Sequence, residues 1–97
     1  MAAIPASEIV EALRAAGHAE STDIRMCTTG FHALPYGVRV IVTAVIGDDV
    51  EGHPDSPAHA EMRAQMALEY KTALEAAGWA VRYGGGGGLT VLRQKAA

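Results

Sequence analysis

Apolar residues along this chain fall first at helical spacing, then alternate, and then run through both patterns once more. Between Pro5 and Gly17, Ile9, Leu13 and Ala16 recur with a helical period, Val10 and Ala12 lie beside them, and Glu8, Glu11 and Arg14 fall outside the stripe. Proline suits a first helical turn and glycine a helix end, so the segment predicts a short amphipathic helix. In "TDIRMCTTGF", Ile24, Met26 and Thr28 alternate against Arg25, Cys27 and Thr29, which predicts a strand. "FHALPYG" supplies Pro35 and Gly37 as breakers and reads as the connection to a second strand, "VRVIVTAVI". That stretch, Val38 to Ile46, is β-branched nearly throughout and reads as the central strand.

The acidic "GDDVEGHPD" follows as a loop, and Ser56 before Pro57 signals a new helix start. The second helix is expected over Pro57 to Ala77, stopped by Gly78, with Met62, Met66, Ala67, Tyr70, Ala73, Leu74 and Ala77 on its core side. "WAVRY" and "LTVLR" then read as two short strands. The order αββαββ predicts a two-layer α+β fold, with a four-stranded, mainly antiparallel sheet and both helices on one face.

"EIVEALRAAGHA" and "EYKTALEAAGWA" share seven residues in register. Ala-rich helices stopped by glycine look alike in any Ala-rich chain, which is the simplest reading, and duplication of an αββ unit is the alternative.

Length and charge narrow the picture. The 97 residues suffice for one core and one domain, residues 1–97. With 49% apolar and 20% charged residues the chain belongs with folding sequences rather than disordered ones. Its scarce aromatics leave an aliphatic core, with Trp79 and Phe31 as expected anchors. The formal charge of -3 offers no general attraction to nucleic acid or anionic membrane. A single cysteine excludes an intrachain disulfide. No secretory leader or membrane span is recognisable at this level, so the expected location is the cytoplasm.

Five consecutive glycines, Gly84 to Gly88, raise the question of a phosphate loop. Such a loop leads from a strand into a helix whose free amides face the anion, with Lys and Ser or Thr completing the site. Here Leu89, Thr90 and Val91 begin a strand instead, so the glycines read as a hairpin turn that is dispensable and whose shortening would stabilise the fold.

Two constellations suggest chemistry. Asp48, Asp49, Glu51, His53, Asp55 and His59 make an acidic stretch that would attract a cation, but no spacing matches a calcium loop or a helical His pair. Cys27 with His18 or His32 is the one candidate for nucleophilic catalysis. No cofactor motif, metal motif or catalytic set is expected from either.

Two resemblances enter beside these readings. His53, Pro54 and Asp55 resemble the tripeptide of J-domain co-chaperones, and the helix after it looks like the one such domains place there. J domains put a basic helix before the tripeptide, where this chain has a valine-rich strand and "GDDVEG", so the residues read as turn chemistry before a helix cap. "YKTALEAAGWAV" followed by "LTVLR" resembles uncharacterised small α+β proteins of actinobacteria and their phages, over the last third of the chain. That resemblance carries no activity with it; an accessory protein of a phage or mobile element is one form that the interaction module expected below would take.

Two helices cover one face of a sheet and leave the other open. Strand parity sends Arg25, Arg39, Ile41, Val45, Arg82 and Leu92 to that open face, a mixture of arginine and aliphatic groups suited to an interface. The expected function is a non-enzymatic interaction module, a homodimer or a protein docked on another through this surface. A small nucleic-acid binder using the arginines, and a small enzyme using Cys27 or the acidic loop, are the alternatives.

Overall fold

A computed structural model describes residues 3–21 and 28–94 of the chain. The order is α1 (Ala6–Ala15), β1 (Gly30–Tyr36), β2 (Arg39–Val45), α2 (Pro57–Ala76), β3 (Trp79–Tyr83) and β4 (Gly88–Gln94). The strands form one antiparallel sheet in the order β1-β2-β4-β3, not closed into a barrel. Ile9 and Leu13 of α1 and Ala67, Tyr70 and Leu74 of α2 join Phe31, Val40, Val42, Leu89 and Val91 in a single core, so both helices lie on one face. This is the expected α+β architecture.

The first strand departs from expectation. β1 occupies Gly30–Tyr36, the stretch read above as a breaker-rich connection, while most of the strand expected at Ile24 to Thr29 lies outside the described residues. Proline is tolerated here because β1 is an edge strand. Phe31 turns both backbone groups away from β2, donating to the Ala19 carbonyl (3.0 Å) and accepting from Ser21 N–H (2.8 Å). Backbone direction alternates along a strand, so Pro35 also faces outward and removes no bond from the β1–β2 ladder. The short return Ala19 to Ser21 thus pairs with the start of β1, with Glu20 and Phe31 as a parallel bridge.

Helix α2 starts where its signals place it. Ser56 Oγ accepts from His59 N–H at 3.2 Å, and Pro57 takes the first turn. Its buried line runs through His59, Ala67, Tyr70 and Leu74, and Met62 is exposed, contrary to its assignment to the core. At about 100° per residue Met62 lies roughly 80° around the helix from Tyr70, at the edge of the buried stripe, and His59 fills the first turn instead. The Tyr70 ring meets Phe31 edge-on at 5.8 Å and His18 at 5.0 Å. Burial, with the neighbouring Glu69 charge, pushes the Tyr70 phenol up to about 12.

The sequence echo has a structural counterpart. Gly17 and Gly78, seven-residue-match partners, end their helices with φ of 92° and 95°, and their amides donate to Arg14 O and Glu75 O. Ile9 and Leu13 are buried as Tyr70 and Leu74 are. The sheet shares the symmetry: Val40, Ile41 and Val42 pair with Val91, Thr90 and Leu89, and exchanging 40 with 89, 41 with 90 and 42 with 91 maps these three of the four β2–β4 pairs onto themselves. The same exchange carries Ala33↔Val42, Leu34↔Ile41 and Pro35↔Val40 onto Val81↔Val91, Arg82↔Thr90 and Tyr83↔Leu89. The chain is therefore a pseudo-twofold pair of αββ units whose axis passes the Ile41–Thr90 pair.

Candidate functional site

The outer face of the sheet is laid out by register. One row crosses all four strands as Leu34, Ile41, Thr90 and Arg82, because Leu34 pairs with Ile41, Ile41 with Thr90 and Thr90 with Arg82. Beside it Tyr36 pairs with Arg39, and on the other side His32 pairs with Thr43. Leu34 is 48% exposed and Tyr36 67%, and Val38 in the adjoining turn is also exposed. Ile41 and Thr43 are half-buried, and Arg39 and Arg82 are exposed.

Of the residues expected on this surface, Arg39, Ile41 and Arg82 lie there together. Arg25 is outside the described residues. Val45 is 8% exposed, so parity alone misplaces it as a contact group. Leu92 is displaced by a bulge: Val81 pairs with Val91 but Ala80 with Arg93, leaving Leu92 as the extra residue of β4. Ala80 shares the face of Arg82, so the bulge gives the outer face Arg93, which is exposed, while Leu92 is half-buried. Sequence reasoning missed Leu34 and Tyr36 as well. Their spacing of two on either side of Pro35 was the available signal, hidden by reading the proline as a break.

The two halves share a frame but differ on this face. Under the pseudo-twofold, Leu34 corresponds to Arg82 and Ile41 to Thr90. On this face the large exposed apolar groups, Leu34 and Tyr36, are confined to the β1–β2 half.

Of the other candidates, Asp49, His53 and His59 make structural bonds. Asp49 accepts from Thr29 N–H (3.1 Å) and Oγ1–H (2.6 Å), tying the acidic loop to the approach to β1. His53 Nδ1 accepts from Asp55 N–H at 3.1 Å, and Arg63 donates to the Pro54 carbonyl at 3.2 Å, so the His-Pro-Asp tripeptide is a turn held against α2. His59 Nε2 donates to the Glu51 carbonyl at 3.0 Å, which fixes the Nε2–H tautomer and leaves Nδ1 buried without a partner. Among the described residues no group of three His, Cys, Asp or Glu side chains is placed to hold a metal ion. Cys27 lies outside the described residues, His18 packs on Tyr70, and His32 sits on the sheet face.

The glycine run is a hairpin connection between β3 and β4, with part of it built into the sheet. The Gly87 carbonyl accepts from Ala44 N–H at 2.7 Å, Gly88 pairs with Thr43, and a Cβ on Gly87 would stand 3.0 Å from Arg63 Cβ. Tyr83 donates its hydroxyl to the Gly86 carbonyl at 2.7 Å. Replacing Gly84 to Gly88 by Asn-Gly is therefore expected to keep the fold but lower stability by about 1–2 kcal/mol, because bonds to β2 and Tyr83 are lost. This reverses the gain expected from backbone entropy alone. A thermal melt checks it, and an unchanged or higher midpoint would show that the lost bonds contribute nothing.

No helix among the described residues is long and apolar enough to cross a membrane. No protein-family model matches this chain, and comparison with curated proteins and with solved structures likewise gives no match.

Proposed function

We propose that this chain is a non-enzymatic protein-interaction module that docks through the outer face of its sheet, centred on the β1–β2 hairpin. The observation that carries the reading is the exposure of Leu34 and Tyr36, at 48% and 67%, on the face the helices do not cover. Exposed large apolar groups elsewhere, such as Met62 and Leu68, stand on α2 without a comparable cross-strand neighbourhood. Leu34 instead adjoins Ile41, and Tyr36 adjoins Arg39. Aliphatic and aromatic groups bordered by arginine are the composition of interface centres.

Nucleic acid is the second reading, favoured by one observation. Tyr36 supplies, beside Arg39, an exposed aromatic of the kind on which single strands stack. One such ring and a net charge of -3 make it the weaker of the two.

The test is site-specific photo-crosslinking in the host cell, with a photoreactive phenylalanine analogue placed at Leu34 or Tyr36 and, as a control, at Leu68. A discrete protein adduct from the two sheet positions and none from the helix is the expected result. An adduct with nucleic acid would favour the second reading, and equal yield at all three positions would contradict a dedicated surface.

A further inference from the structure

We infer that the segment docking on the outer face is acidic and aliphatic, a stretch of another protein in which carboxylates stand close to Leu, Ile or Val side chains. The inference rests on the docking reading above and adds the chemistry of the partner. Its basis is a segregation of charge between the layers. The chain has 11 Asp and Glu against 8 Lys and Arg, yet none of the four strands contains a carboxylate. The strands carry Arg39, Arg82, Arg93 and His32, while the acids among the described residues lie on the helices and in the connections. A basic, partly apolar face thus sits on an acidic protein.

The three arginines have no ion-pair partner among the described residues, where the pairs formed are Arg14 with Glu20 and Lys71 with Glu75. Exposed guanidinium groups offer planar, forked donors that match carboxylates two bonds at a time. At about 4.8 Å between strands, the row from Leu34 to Arg82 spans roughly 14 Å, the length of about four residues of an extended segment. A partner placing an aliphatic side chain on Leu34 and Ile41 would bring an acid four residues away to Arg82.

The same segregation weighs against the other occupants. A second copy docked face to face by two-fold symmetry would bring both sets of arginines into one interface with no carboxylate on either sheet to meet them. A nucleic acid would meet few positive charges on a protein of net charge -3, and nothing aliphatic of its own to place against Leu34, Val38 and Ile41.

The experiment is a selection from a displayed library of random twelve-residue peptides against the immobilised full chain. Selected peptides are expected to be enriched severalfold in Asp and Glu beside aliphatic residues. They should bind at least tenfold more weakly at 500 mM than at 50 mM salt, and at least tenfold more weakly to an Arg39→Glu, Arg82→Glu variant whose fold is verified by circular dichroism. Neutral or basic peptides whose binding is lost in Leu34→Glu would overturn the acidic assignment and leave the docking surface standing. Peptides indifferent to Leu34→Glu, or no enrichment at all, would overturn both. A twelve-nucleotide oligothymidylate that binds more tightly than every selected peptide would replace the protein partner with nucleic acid. A dimer in light scattering that Leu34→Glu dissolves would replace it with a second copy.

Discussion

Gly30→Ala is expected to lower stability by about 2–6 kcal/mol, although it adds one methyl group to a residue of a strand. A Cβ at Gly30 would overlap the Ala19 carbonyl oxygen and come within 2.9 Å of Glu20 C and Ser21 N. These are backbone atoms of the return that pairs with Phe31, so no side chain can rotate to make room. Relief requires moving the return away from β1, which breaks the bonds between Phe31 and Ala19 (3.0 Å) and between Ser21 and Phe31 (2.8 Å). Overpacking costs about 1–3 kcal/mol and each bond lost about 0.5–1.5 kcal/mol. In a domain of this size that is a fall in melting temperature of roughly 10–50 °C. Gly84→Ala is the control, since a Cβ there meets nothing within 4 Å. If the two variants melt together, the return is not held against β1 as described.

That constraint belongs to the part of the molecule least legible in its sequence. Both helices, β2 and the last hairpin were readable because each presents one period to one core: Ile9 and Leu13, Tyr70 and Leu74, Val40 and Val42 are all buried as their spacing requires. β1 fails that test for a physical reason. Phe31 and Ala33 pack inward while Leu34 and Tyr36 remain apolar on the open side, so the alternation of apolar with polar residues is absent. Pro35 adds a signal against a strand that holds only for strands with neighbours on both sides. An open face that carries apolar groups and an edge position together erase the pattern that would have revealed the element.

The site was legible to the same extent. Arg39, Ile41 and Arg82 follow from simple alternation within strands that keep it. Exchange of Leu92 for Arg93 follows from a bulge between Ala80 and Val81, which leaves no mark that parity can detect. The echo between the halves was readable as similarity, but only the pairing of β2 with β4 shows it as symmetry.

The second large effect is expected of Leu34→Glu combined with Ile41→Thr, which should abolish docking while leaving a folded protein. Threonine at position 41 keeps a β-branched residue in the central strand and avoids two like charges directly opposite one another, since Leu34 and Ile41 are paired. Removing two aliphatic contacts from an interface costs about 2–4 kcal/mol of association, roughly 30- to 1000-fold in affinity. Stability should change little, because Leu34 is already 48% exposed and neither residue belongs to the helix-side core. The thermal melt of this double variant tests most directly whether the face is a surface or a hidden part of the core. A cooperative transition within about 10 °C of the unaltered protein, corresponding to about 1–2 kcal/mol, is the predicted result. Loss of the transition, as a charge forced into a core would cause, would contradict an open docking face.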